Sequence, residues 1–184
     1  MGKIFEQLDD ALCEFLQSHA VFFAASAPSG DAGHINVSPK GLDSFRILGP
    51  TEVAYLDLLG SGIETVAHVR ENGRIVLMFC AFSGPPRILR LWGRARVVEP
   101  EDPEYAGLQE SFDSPVPARS IIVLKITRIQ ESCGYGVPVL EYTGDRQQLE
   151  KWGRQKSAGE IEAYKTENNA RSIDGLPGLR SRCP

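Results

Sequence analysis

The segment Gly33-His34-Ile35-Asn36-Val37-Ser38-Pro39-Lys40-Gly41 sets small hydrogen-bonding side chains and one lysine on what reads as a strand running into a turn. A second apolar segment, Val53 to Leu59, empties into Gly60-Ser61-Gly62 and then into a helical pattern. A phosphate needs a cation, hydroxyls and free backbone N–H groups, and a strand-to-helix junction supplies the last of these with the positive end of the helix dipole. Either piece alone describes an ordinary turn or helix cap. Together they describe a place for a phosphate.

The elements that must position these groups follow from periodicity and punctuation. Phe5, Leu8, Leu12, Phe15 and Leu16 recur at helical spacing and predict an amphipathic first helix. Val21 to Ala27 reads as a strand that turns at Pro28-Ser29-Gly30-Asp31, and the His34 segment returns as the second half of a hairpin. Phe45 to Leu48 and Val53 to Leu59 continue the meander. Ser61 is placed to cap a helix, with Glu64 as its capping-box partner, and Asn72-Gly73 favours a left-handed stop. Arg74 to Phe82 is nearly continuous in apolar residues and predicts a central strand, whereas Arg87 to Val98 alternates. A helix is expected over 99–112, a strand over 120–129, a glycine-rich loop from Ser132, and helices over 145–157 and 159–168. The Gly- and Pro-punctuated apolar end, 169–179, is expected to pack onto a surface, its own or that of a partner subunit. Hairpin order without βαβ alternation predicts a mainly β fold with peripheral helices, a six- or seven-stranded antiparallel barrel.

Composition narrows the function classes. The chain has 184 residues, 42% hydrophobic and 24% charged, with a formal charge of -4. That is ordinary for a soluble domain and argues against nucleic-acid binding through a broad basic surface. The one basic excess, Arg87, Arg90, Arg94 and Arg96, alternates as a solvated strand face would. No apolar run approaches the roughly 20 residues that cross a bilayer, and no leader pattern opens the chain, so a cytoplasmic protein without membrane partners is expected. Cys13, Cys80, Cys133 and Cys183 lack paired spacing and read as free thiols, and His19, His34 and His68 form no metal-ligand pattern, so no metal is expected.

The order of these elements, with Ser38-Pro39-Lys40, Glu71-Asn72-Gly73-Arg74-Ile75-Val76-Leu77-Met78-Phe79 and Gly93-Arg94-Ala95-Arg96-Val97-Val98, resembles the pyridoxamine 5'-phosphate oxidase-like FMN-binding split barrels over about residues 5 to 130. The resemblance implies one domain over 1–184, with the split barrel at about 20–130 and a helical extension at about 133–184. It implies an FMN cofactor, with Asn36, Val37, Ser38, Pro39 and Lys40 along the flavin and Lys40 reaching the phosphate. Leu56 and Asp57 would border the ring or ribityl chain, and Ser61, Gly62 and Thr65 would complete the phosphate cradle. The oxidases' arginine and lysine pair in that helix falls on Glu64 and Thr65 here, so one cation must come from elsewhere, such as Arg87 or Arg119. The family's dimers hold two flavins at their interface, which makes Trp92, Arg119 and the Cys133 to Val137 loop second-subunit contacts, or simply interface residues. A homodimer is also expected because the sheet faces and the segments after residue 130 need more cover than one chain supplies.

The oxidases that make pyridoxal 5'-phosphate carry a C-terminal Trp-Arg motif that grips substrate, and Arg171 to Pro184 does not reproduce it. The expected function is therefore an FMN-dependent oxidoreductase acting on a different small molecule. The alternatives are a flavin-binding storage or stress protein without turnover, and a split barrel that has exchanged flavin for haem or a deazaflavin. No side chain is an evident acid, base or nucleophile; His34 is the nearest candidate proton donor and Cys133 the nearest redox candidate.

Overall fold

The computed structural model describes residues 2–180, so the expectations for Arg182 and Cys183 lie outside the described residues. In chain order the elements are β1 (Ile4–Phe5), α1 (Asp10–Gln17), β2 (Phe22–Ser26), β3 (Asn36–Lys40), β4 (Phe45–Gly49), β5 (Glu52–Leu58), α2 (Glu64–Asn72), β6 (Arg74–Cys80), β7 (Ile88–Val98), α3 (Tyr105–Gln109), β8 (Ala118–Ser132), α4 (Gln148–Arg154) and α5 (Ala158–Asn168). Seven strands form one antiparallel path, β3-β2-β6-β7-β8-β5-β4, and β1 adds a short pairing to the far end of β8. The path leaves β3 and β4 as its two ends, and they do not pair with each other. The result is a split barrel.

Side chains close what the backbone leaves open. Phe22 of β2, Phe45 of β4 and Phe79 of β6 meet with ring centroids 5.1 to 5.5 Å apart, and Tyr55 of β5 joins Phe22 at 5.5 Å. This aromatic knot continues into a core of Val53, Leu77, Leu89, Leu91, Ile122 and Leu124, over which α1 lays Leu12 and Leu16 and α2 lays Ile63 and Val66. Strand β5 is buried on both sides, because Ala54 and Leu56 face a second cluster with Ile121, Val123 and Tyr105. Double burial explains the unbroken apolar run of 53–59.

On the outer surface of the sheet, cross-strand neighbours Val37, Ala25, Val76 and Trp92 form a row over four strands, and Pro39, Phe23 and Met78 form a second row beside it. Val37 is 61% exposed. Pro39 is exposed as well, and Phe23, Ala25, Val76, Met78 and Trp92 are half-buried.

Several local expectations are corrected. Phe5 lies in β1, and α1 begins only at Asp10, where the Asp9 carboxylate accepts from the Leu12 N–H at 2.9 Å. The Ser61–Glu64 capping box does not form: Ile63 occupies the cap position of α2 without a side-chain hydrogen bond, and Glu64 Oε1 accepts from the Ile173 N–H at 3.3 Å instead. Gly73 ends α2 at φ 68, in the left-handed region that glycine adopts without strain. The helix expected over 99–112 contracts to α3, since Glu99 is buried and held by Arg70 and Arg180. Strand β8 runs longer than expected, to Ser132.

Residues 169–180 pack on their own chain as a strap over the start of α2. Asn169 Nδ2 donates to the Gly60 carbonyl at 2.9 Å, and Leu179 is buried in the main core. A side chain at Gly178 would collide with the Asn169 carbonyl and Ile63, so the strap lies this close only because that residue is glycine. Asp174 accepts from the backbone N–H of His34 at 2.8 Å and lies 2.6 Å from its Nδ1.

Candidate functional site

Strand β3 alternates, so Asn36, Ser38 and Lys40 share one face while Val37 and Pro39 share the other. The first face looks across the open side of the barrel toward the end of β5 and the start of α2. Between them lies a cavity of about 280 Å3 lined by Asn36, Ser38, Pro39, Lys40, Leu58, Gly60, Gly62, Glu64, Thr65 and Arg119. Asn36 Nδ2 donates to Thr65 Oγ1 at 2.9 Å, and Ser38 Oγ donates to Asn36 Oδ1 at 3.2 Å, so the amide is fixed from both ends.

Two cations converge on the cavity. Lys40 Nζ donates to Asp57 Oδ1 at 3.1 Å, and Arg119 Nε donates to Asp57 Oδ2 at 2.7 Å. Arg119 Nη1 donates to the Gly60 carbonyl at 2.9 Å, and Ser120 Oγ lies 3.4 Å from Asp57 Oδ2. Asp57 is wholly buried and Arg119 is 4% exposed. Burial alone would raise the Asp57 carboxyl, but Arg119 and Lys40 beside it outweigh burial and hold it down at about 2. One ionised carboxylate thus faces two fixed cations in the cavity floor, and the Glu64 carboxylate in the lining brings the formal sum to zero. Glu64 stands on the rim, where the Ile173 N–H engages its carboxylate. The cap residue Ile63 makes no side-chain hydrogen bond to the first turn of α2, and Glu64, the acidic residue of that turn, folds its carboxylate back toward Gly62.

This donor set fits a phosphate group: two cations, an amide, two hydroxyls and an uncapped helix start around a cavity of matching polarity. Of the sequence candidates, Asn36, Ser38, Pro39, Lys40, Gly62, Thr65 and Arg119 line the cavity and Asp57 lies beneath it. Val37 points outward, Leu56 is buried in the second apolar cluster, and Ser61 is exposed beside the cavity. Trp92 lines a separate hollow on the outer sheet face with Ala25, Ile35 and Val76, and Cys133 is exposed past the end of β8. Arg87, the other candidate cation, is remote from the cavity and pairs with Glu131 at 2.5 Å. His34 serves the strap through Asp174 and does not line the cavity. Sequence reasoning missed Gly60, whose carbonyl receives both Arg119 and Asn169, and Glu64 as a rim residue. The signal for Gly60 was its place in Gly60-Ser61-Gly62; Glu64 was masked by the capping-box pattern.

Among the described residues no helix is long and apolar enough to cross a membrane. A family model described as pyridoxamine 5'-phosphate oxidase matches residues 8–133. The pyridoxamine 5'-phosphate oxidase family protein ustO of Aspergillus flavus is 44% identical over 198 residues, covering 98% of this chain and 79% of that protein. Among solved structures, HupZ from Group A Streptococcus has a TM-score of 0.52 at 17% identity, covering 66% of this chain and 92% of that one. A candidate pyridoxamine 5'-phosphate oxidase from Lactobacillus delbrueckii has a TM-score of 0.52 at 19% identity, covering 68% and 94%. The two structures share the fold, and the sequence matches show the descent: this chain belongs to the pyridoxamine 5'-phosphate oxidase family.

Proposed function

We propose that the protein binds FMN, with the flavin phosphate in the cavity between β3 and α2, and that it acts as an oxidoreductase on a small molecule. The observation that carries this reading is the pair of fixed cations, Lys40 and Arg119, sharing one buried carboxylate at the mouth of an uncapped helix. A bound flavin supplies hydride or electron transfer, while the protein supplies position and electrostatics. Asp57 holds both cations in place before the ligand arrives, so little side-chain freedom is lost on binding. Asn36 and Thr65, already bonded to each other, present the remaining polar groups in a fixed array. Membership of the family supports the cofactor, and the match over residues 8–133 spans every residue of the cavity.

The same reading includes a homodimer. The outward row Val37, Ala25, Val76 and Trp92 runs over β3, β2, β6 and β7, and β3 lends its other face to the cavity. A second copy of the chain laid on this band would bury it, and an isologous contact repeats the same apolar patch on both sides.

The absorbance spectrum of purified protein tests the cofactor. The expected result is the two-banded spectrum of an oxidised flavin, released on denaturation as the mononucleotide. A Soret band, or a protein that takes up no flavin when FMN is added, would overturn the reading. Oxidation of NADH or NADPH by the flavin-loaded protein then separates turnover from storage.

A further inference from the structure

A larger cavity, about 770 Å3, has no part in the phosphate site. It lies where the end of α1, the start of β2 and the turn between β6 and β7 come together, and the segment after β8 folds back as its fourth wall. The Leu140 N–H donates to the Phe82 carbonyl at 2.8 Å and holds that wall in place. Its volume falls in the range of sites for small organic ligands, and its surface is mostly apolar, from Phe15, Val21, Phe82, Pro85, Leu140 and Tyr142. Leu140 and Tyr142 are 53% and 62% exposed while facing it, so apolar surface that an occupant would bury stands open.

Of the polar groups in the lining, Ser18 Oγ and His19 Nδ1 are engaged at the Phe15 carbonyl and Ser83 is exposed, which leaves Arg87 as the charged donor that an occupant meets. Arg87 lies over the Phe15 ring, its Cζ 4.4 Å from the centroid, and Glu131 accepts from its Nε at 2.8 Å and pairs with its Nη2 at 2.5 Å. The Nε–Nη2 edge of the guanidinium is thereby held by one carboxylate oxygen, and no hydrogen bond occupies Nη1 among the described residues. Glu131 cancels the charge of Arg87, and the exposed Glu141 adds a negative one at the rim. The wall therefore offers an oriented hydrogen-bond donor with no net positive charge.

We propose that this cavity is a second ligand site, and that it takes an uncharged planar aromatic molecule carrying a carbonyl, which lies among the apolar walls and accepts from Arg87 Nη1. An aromatic anion of the same size meets no net attraction here. The proposal stands on this cavity alone and does not depend on what the phosphate site holds.

Prodan, a neutral dialkylamino-naphthyl ketone, and anilinonaphthalene sulfonate, an anion on the same ring system, form the discriminating pair of probes. Titrated into the full-length protein as purified, prodan is expected to saturate at one site per chain with blue-shifted emission, and the sulfonate to bind at least tenfold more weakly. Leu140→Asp, at an exposed position, and Val21→Trp, which fills the cavity, should each weaken prodan at least tenfold with the melting temperature of Leu140→Asp unchanged. Arg87→Met should weaken prodan about tenfold, the scale of one hydrogen bond from a charged donor. Lys40→Ala should leave prodan binding as it was. Retention of prodan affinity in Leu140→Asp, or a sulfonate that binds as tightly as the ketone, would overturn the assignment.

Discussion

Lys40, at the end of an edge strand, reaches across the open side of the barrel to Asp57 of β5, with Nζ 3.1 Å from Oδ1. The two strands are not neighbours in the sheet, so this ion pair does at the seam what backbone hydrogen bonds do elsewhere. The turn that follows Lys40 holds Leu42 and Asp43 at φ 59 and 51, a left-handed conformation that non-glycine residues adopt at a cost on the order of 1 kcal/mol each. Arg46 fixes Asp43 through two contacts of 2.9 Å and keeps the turn in that form.

Removing either cation should weaken FMN. Lys40→Ala and Arg119→Ala are each expected to cost about 1.5 to 3 kcal/mol of binding, the scale of a hydrogen bond to a charged group. Flavin fluorescence titration reads this directly, and unchanged affinity in both variants would move the phosphate elsewhere.

Acid should open the seam. The Asp57 carboxyl titrates at about 2 in the folded chain, below its ordinary value of 3.8. A depressed carboxyl contributes stability that is fully present above the ordinary value and is lost as pH falls through the folded one. The contribution is on the order of 2 kcal/mol. Chemical denaturation from pH 5 down to about pH 2 should show that loss, and Asp57→Asn should abolish this part of the slope. Asp57→Ala should cost more, about 3 to 5 kcal/mol, because it leaves Arg119 buried without its partner.

The outer apolar band should set the oligomeric state. Sedimentation is expected to give twice the chain mass at micromolar concentration, and Val37→Glu should shift the protein to monomer by burying a carboxylate in the contact. A monomeric parent chain that binds FMN tightly would separate the cofactor from the dimer.

Pyridoxamine 5'-phosphate should be a poor substrate. A second dianion needs its own cations, and the described arginines of the chain end are already engaged: Arg171 Nη1 donates to the Gly175 carbonyl at 2.9 Å, and Arg180 pairs with Glu99 and Asp102. An oxygen-coupled assay of FMN-saturated protein should show turnover well below about 1 per second, the low end of ordinary enzyme values.

The sheet was largely legible in the sequence because alternation and Gly-Pro punctuation are local signals. The hairpin ending at Lys40 and the stop at Gly73 follow from residues close together in the chain, but the meander expected to continue into Phe45–Leu48 is broken: β3 and β4 do not pair, and β2 pairs β6 and β5 pairs β8 across 49 to 73 residues. The start of α2 was not legible. Ser61 and Glu64 satisfy a local capping pattern, but Glu64 is drawn to Ile173, and no local reading weighs a partner that distant. Arg119 could be read as a cation but not placed. The pairing of Asp57 with Ser120 puts it beside the carboxylate, and that pairing is a property of the folded sheet. Arg87 shows the converse, since Glu131, its neighbour only through the fold, takes it to the other cavity.

The strap over α2 bears on how the molecule reaches its final form. The strand pairings of the seven-strand path join residues no more than 73 apart, as Glu52 and Lys125 are, whereas His34 and Asp174 are 140 residues apart and Gly60 and Asn169 are 109 apart. Contacts of such separation carry a large loop-closure entropy and form late. During synthesis the barrel residues emerge well before the strap does. The cavity between β3 and α2 is therefore walled by its strands while Gly60 and Glu64 still lack their last partners, and a ligand has its widest access to the start of α2 in that interval.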